Sequence, residues 1–173
     1  MIIVLIGYMG SGKSTIGKEL ATALEYNFLD LDDYISDKEK RSVSEIFESK
    51  GEIYFRKKET EYLNEVLNSS ENSVLALGGG TPCYGKNMDL IINNANVTSF
   101  YLKLSIPLLS KRLFTEREQR PLISHLNSET ELLEFIGKHL FERNQYYSRS
   151  HITLNTDHKT KQDILEELVG HLV

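Results

Sequence analysis

Apolar and polar positions along this chain switch repeatedly between two patterns. Short apolar runs closed by glycine or acidic residues read as buried strands. Segments with apolar residues three or four apart read as helices. Ile2 to Ile6 is wholly apolar and precedes an amphipathic segment that ends near Glu25. Asn27-Phe28-Leu29-Asp30-Leu31-Asp32 predicts a short strand ending in acids, followed by a helical stretch through Ile35 to Lys40. Ser42-Val43-Ser44-Glu45 has capping-box spacing and predicts a short helix stopping near Gly51. Glu52 to Asn68 is helical in propensity and very polar. Val74-Leu75-Ala76-Leu77 predicts a central strand, broken by Gly78-Gly79-Gly80. A helix at Lys86 to Asn94, a strand at Val97 to Leu102 and a helix at Leu108 to Phe114, with Pro107 suiting its first turn, come next.

Thr115 to Asn127 has no clear period and holds Arg117, Arg120 and Pro121; a loop this long inside a compact domain is usually functional. Ser128-Glu129-Thr130-Glu131 caps a further helix, with Leu132, Leu133, Phe135, Ile136 and Leu140 expected on its buried side. Ile152 to Leu154 is the last strand, and a helix from about Lys161 carries Ile164, Leu165, Leu168 and Leu172 at helical spacing. Strands alternating with helices predict an α/β domain with about five parallel strands.

Composition changes this picture little. The 173 residues suit one domain with a proper core, and 40% hydrophobic with 26% charged residues is ordinary for a globular protein. Twenty basic against twenty-five acidic residues give a net charge of −5, with no basic track for nucleic acid. The five-residue apolar start lacks a basic flank, so it reads as a strand rather than a leader, and no stretch reaches transmembrane length. The single Cys83 cannot form an internal disulfide, which fits a reducing, cytoplasmic setting; with no base beside it, it reads as structural. The five histidines show no metal-ligand spacing.

The chemistry starts at Gly7-Tyr8-Met9-Gly10-Ser11-Gly12-Lys13-Ser14-Thr15, a G-x-x-x-x-G-K-S pattern between strand and helix. Such a P-loop turns backbone N–H groups inward on phosphate at a positive helix end. Lys13 reaches the β- and γ-phosphates, and the Ser14 hydroxyl is placed for Mg²⁺. Ligands of open α/β sheets bind beyond the carboxyl ends of the strands, where Asp30, Asp32 and the triple glycine should also meet. Strand alternation predicts that Asp30 and Asp32 face the same way. Asp30 is then the candidate for the metal shell, through water, and Asp32 for the acceptor hydroxyl. Both could instead cap the following helix. Gly78, Gly79 and Gly80 offer backbone without side chains, for close ligand approach or for a strained turn. Arg56, flanked by Glu52 and Glu59, is either part of a surface ion-pair ladder or a carboxylate grip oriented by Glu59. Arg120, held extended by Pro121, is a lid arginine for transferring phosphate or a solvated loop charge. Arg117 is a weaker version of the same candidate, and Arg143 ends a helix where a cation complements the dipole.

This set resembles the shikimate kinase family. The resemblance rests on the P-loop, Phe28-Leu29-Asp30-Leu31-Asp32, Ile46-Phe47, Gly51-Glu52-Ile53-Tyr54-Phe55-Arg56, Leu77-Gly78-Gly79-Gly80, Arg120-Pro121-Leu122 and Glu142-Arg143-Asn144, in the family's order over nearly the whole chain. It implies a three-layer α/β/α P-loop kinase fold with sheet order 2-3-1-4-5, in one domain spanning 1–173. Within it would lie substrate-binding helices at about 31–68 and a mobile lid at about 115–127. It implies transfer from ATP to shikimate, giving ADP and shikimate 3-phosphate, with Mg²⁺ as cofactor, in a monomeric cytoplasmic enzyme without nucleic-acid or membrane partners. Lys13, Asp32 and Arg120 would be catalytic. Gly10, Ser11, Gly12, Lys13, Ser14, Thr15, Arg112 and Arg120 would bind ATP, with Arg112 near adenine. Asp32, Arg56, Gly78, Gly79, Gly80 and Arg143 would hold shikimate, and Ser14 with Asp30 the metal. The rival readings are a gluconate or nucleoside-monophosphate kinase of the same fold, and a nucleotide-binding regulatory domain without transfer chemistry.

Overall fold

The computed structural model describes all 173 residues. Five parallel strands, β1 (Ile2–Ile6), β2 (Asn27–Asp30), β3 (Ser73–Ala76), β4 (Val97–Lys103) and β5 (Ile152–Asn155), form one sheet in the order β2-β3-β1-β4-β5. The expected order 2-3-1-4-5 is therefore observed. Ile2 of β1 stands between Ser73 and Val97 of its neighbours, and the register continues along all three strands. Every β1 residue is buried, which explains its unbroken apolar run: helices cover both faces of a parallel sheet. Ile2, Val4 and Ile6 enter one core layer, while Ile3 and Leu5 enter the other.

The smaller layer holds α1 (Lys13–Leu24) and α8 (Lys161–Gly170), with Ile16, Leu20, Ile164 and Leu168 at helical spacing. On the larger side lie α2 (Leu31–Glu39), α3 (Val43–Lys50), α4 (Glu52–Leu67), α5 (Asn87–Ile92), α6 (Ile106–Glu116) and α7 (Glu129–Tyr147). The capping box at Ser42 and Glu45 starts α3 as expected, and Ser128 caps α7. Leu132, Ile136 and Leu140 make the buried stripe of α7, whereas Leu133 is 41% exposed. That corrects its expected burial: one step from Leu132 around a helix turns the side chain outward.

Two segments differ from the expected elements. The helix after β2 begins at Leu31, not near Ile35, because Asp30 serves as its N-cap and accepts the Asp32 N–H at 3.0 Å. Asp32 therefore belongs to the first turn of α2 and not to a strand. The stretch expected as a loop from Thr115 is partly ordered: α6 continues to Glu116, and a short 3₁₀ turn spans Arg117–Gln119. Beyond Arg120, Ile123 is fully buried and fixes the segment to the core.

α2, α3 and α4 stand together beside the sheet's carboxyl end. Glu39 at the end of α2 accepts hydrogen bonds from the Tyr54 and Tyr62 hydroxyls of α4, each at 2.6 Å. These bonds hold the Glu39 carboxyl below its ordinary range. A depressed folded value means that the stabilisation is present above the unfolded carboxylate range and fades as pH falls. Glu39→Ala is expected to lower stability by about 1–2 kcal/mol at pH 7, a discounted value for half-buried charged hydrogen bonds. Chemical denaturation at pH 7 and pH 4 checks it, the difference from the parent protein shrinking at pH 4.

Candidate active site

Beyond the carboxyl ends of the strands the elements leave a cavity of about 560 Å³. Gly10 to Ile16, Asp30, Asp32, Gly78, Gly79, Arg112, Glu116, Arg120, Thr156, Lys159 and Lys161 are among its lining residues. The P-loop turn depends on Gly12, whose φ of 93° at the N-cap of α1 is strained for any other residue. No side chain caps α1. Its first N–H groups thus remain available for an anion, and the buried Ser11 hydroxyl has no hydrogen-bond partner.

Lys13 is buried and donates to the Gly7 and Tyr8 carbonyls at 2.9 and 3.0 Å. Burial pulls its ammonium down to about 8, opposed by Asp30 and Asp32. Anionic phosphate beside Lys13 would favour the charged form. Ser14 donates to Asp30 Oδ2 at 2.9 Å, while Asp30 Oδ1 receives the Asp32 N–H. Asp30 thus caps α2 with one oxygen and meets Ser14 with the other, so the cap does not take it away from Ser14. The chain has no group of three or more His, Cys, Asp or Glu side chains able to hold a metal. A hydroxyl and one carboxylate fit Mg²⁺, which keeps several waters and takes other ligands from substrate phosphates.

The triple glycine faces three side chains from three different helices. A Cβ on Gly78 would stand 3.2 Å from Asp32 Oδ1, one on Gly79 3.0 Å from Arg143 Nη1, and one on Gly80 2.8 Å from Arg56 Nη2. None of the three glycines has positive φ, so close approach and not a strained turn accounts for them. Burial raises the Asp32 carboxyl to about 6, helped by Asp30 and Glu59 and opposed by Lys13 and Arg56.

Arg56 pairs with both flanking acids, but only Glu52 is on the surface: its oxygen stands 3.8 Å from Arg56 Nε. Arg56 Nη1 donates at 2.8 Å to Glu59, which is 1% exposed and also accepts from Thr81 at 2.7 Å. The buried Arg56 Nε has no hydrogen-bond partner. Glu59 occupies one end of the guanidinium, and Glu52 at 3.8 Å is too far to bond Nε, so the Nε–Nη2 edge keeps donors for a planar two-oxygen acceptor. Arg143 lies over the Tyr8 ring at 5.9 Å and is in no ion pair.

At the far rim, Arg112 donates to the Gly10 carbonyl at 2.8 Å. Arg120 lines the cavity but is gripped by Glu116, with its Nε and Nη2 at 3.1 and 2.7 Å from one oxygen. Arg117 turns away, stacked on Phe114 at 4.1 Å and bonded to that residue's carbonyl, and takes no part in the cavity.

The shikimate kinase family model matches residues 9–173, almost the entire chain. The chain belongs to the shikimate kinase family. It is 47% identical over 166 residues to a shikimate kinase of Flavobacterium psychrophilum, covering 96% of this chain and 95% of the relative. Among solved structures, a shikimate kinase from Bacteroides thetaiotaomicron is similar with a TM-score of 0.88 and 32% identity, covering 99% of this chain and 98% of that one. A shikimate kinase from Acinetobacter baumannii, solved in complex with shikimate, is similar with a TM-score of 0.83 and 30% identity, covering 99% and 92%.

Several residues of this shikimate kinase fold's crevice escaped sequence reasoning. Tyr147 donates to the Gly79 carbonyl at 2.5 Å and lies one helical turn from Arg143; that four-residue spacing was its only signal. Thr156 and Lys159 reach the cavity from the loop after β5 and Lys161 from the first turn of α8, a stretch to which no site residue was assigned from sequence. Cys83 is structural as read: burial pushes its thiol up to about 11.

Asp32 gives a pH-dependent expectation. Its folded value of about 6 is raised, so its favourable contribution is complete in acid and lost as pH rises through 6. Asp32→Asn is expected to stabilise the protein at pH 8 by up to about 3 kcal/mol, with the gain vanishing toward pH 4. Turnover should fall roughly 100-fold or more. Denaturant melts across that range, with a turnover assay on the same sample, check both.

Proposed function

We propose that this chain transfers the γ-phosphoryl group of ATP to the 3-hydroxyl of shikimate, with the crevice residues in the roles that follow. The observation that carries the reading is the adjacency of a P-loop cradle to one carboxylate, Asp32, and two arginines, Arg56 and Arg143, across Gly78 to Gly80. Shikimate offers one carboxylate and three hydroxyls. The Nε–Nη2 edge of Arg56, with no hydrogen bond at Nε, suits the carboxylate, with Arg143 as a second cation. Asp32, largely ionised at neutral pH, accepts the hydroxyl hydrogen bond and orients its oxygen toward the phosphorus. Shikimate bound to the Acinetobacter baumannii relative supports this choice of acceptor.

The residues Gly10 to Thr15 hold the phosphates, and Arg112 flanks the base. Magnesium held through Ser14 and Asp30 would supply charge neutralisation at the β- and γ-phosphate oxygens. Lys13 stabilises the same oxygens. Arg120 exchanges Glu116 for phosphate as the lid segment closes and excludes water. We place the enzyme in the cytoplasm as a monomer, in keeping with a single cysteine that has no partner for an internal disulfide.

ADP release from Mg·ATP, measured with shikimate, gluconate and nucleoside monophosphates in parallel, tests the acceptor. Stimulation by shikimate alone is expected; turnover on another acceptor with none on shikimate would overturn the reading. Arg56→Ala is expected to raise the shikimate KM roughly 10- to 100-fold, as loss of a charge-assisted bidentate contact does, with little effect on the ATP KM. An unchanged shikimate KM would contradict the carboxylate role.

A further inference from the structure

Arg56 makes one hydrogen bond in the plane of its guanidinium, from Nη1 to Glu59, and has a longer ion-pair contact of 3.8 Å from Nε to the exposed Glu52. One short bond and one long contact hold the plane only loosely, and the Nε–Nη2 edge with it. A carboxylate gripped by two nitrogens requires the edge to be held in one orientation. A further constraint comes from the half-buried Tyr84. Its ring centroid lies 3.9 Å from the Arg56 guanidinium carbon, the spacing of a cation seated on an aromatic face. The Tyr84 hydroxyl donates to Glu52 at 3.0 Å, one turn before Arg56 on the same helix α4. Ring and hydroxyl therefore both engage α4, at Arg56 and one turn before it.

Tyr84 ends the short 3₁₀ turn Thr81–Cys83 that follows the triple glycine. A single loop thus provides both the space at Gly80, where a Cβ would strike Arg56 Nη2, and the platform at Tyr84. We propose that Tyr84 is a positioning residue for the acceptor carboxylate: it stacks on Arg56 and holds its Nε–Nη2 edge aimed into the crevice. The inference rests on the assignment of Arg56 to the carboxylate of shikimate. Tyr84 does not line the cavity around the P-loop and Asp32, so its effect belongs to acceptor binding and not to the transfer step.

Steady-state kinetics on the full chain test this, with thermal melts to show that each variant is folded. The parent protein is first confirmed to turn over shikimate; a parent that does not do so removes the acceptor reading and this inference with it. Tyr84→Leu is expected to raise the shikimate KM about tenfold, the range of a partly desolvated cation–π contact, with the ATP KM and kcat within about twofold. Tyr84→Phe keeps the ring and is expected to stay within about threefold of the parent KM. A merely structural role would instead move kcat and the ATP KM as well, and Phe would not restore the shikimate KM. Should Tyr84→Leu not fold, Tyr84→Met carries the same expectation. An active parent with an unchanged shikimate KM in the folded Leu or Met variant overturns the role of Tyr84 alone. So does failure of both variants to fold, which would make Tyr84 a core residue.

Discussion

The closeness of the Gly78–Gly80 backbone to three side chains sets the geometry of everything around it. Asp32 comes from α2, Arg56 from α4 and Arg143 from α7, and each stands at a distance from the glycine run that a Cβ would violate or crowd. The strand β3 fixes that backbone from one side, and the hydrogen bond from Tyr147 to the Gly79 carbonyl fixes it from the other. Side chains from distant parts of the sequence are thus brought to a common point. Preorganisation of this kind lowers the ordering cost when a ligand arrives.

The same crowding concentrates charge where water is scarce. Lys13 is pulled down and Asp32 is pushed up, each by burial before any neighbour acts on it. Arg56 keeps a buried nitrogen without a hydrogen-bond partner, and Ser11 a buried hydroxyl. All four features disfavour the ligand-free folded state, and all four are relieved by an anion or hydroxyl in the right place. Such strain is tolerable because the apolar layers on both faces of the sheet lie apart from the crevice. The Arg120–Glu116 pair has the opposite character: it satisfies the lid arginine internally, so phosphate must compete with Glu116 for it.

Much of this was legible in the chain. The P-loop could be read because its spacing reflects backbone geometry, and the strand order followed from a family likeness and not from the hydrophobic pattern. Asp30 and Asp32 were correctly placed in the crevice, although strand alternation was the wrong reason: Asp32 points inward because Asp30 caps the helix that carries it. For Arg56, local spacing alone favoured a surface ladder over an oriented carboxylate grip. Burial of Glu59 takes its half of the ladder off the surface, and that burial comes with Thr81 arriving from another element. Leu133 was misplaced because helical periodicity alone does not specify which side of a broad apolar stripe meets the core. Tyr84 and Tyr147 act through contacts spanning long stretches of chain, which local motifs do not encode.

If the acceptor site is built in advance by close backbone approach, it should bind shikimate without nucleotide. Calorimetric titration of shikimate into the nucleotide-free protein, beside Gly80→Ala, measures this directly. The added methyl would meet Arg56 Nη2 at 2.8 Å and displace the guanidinium, the mobile partner, while leaving the backbone fold intact. The account predicts measurable binding to the parent protein and a loss of roughly tenfold or more in a folded Gly80→Ala, as for a misplaced bidentate contact. Equal affinity in the two proteins would contradict it.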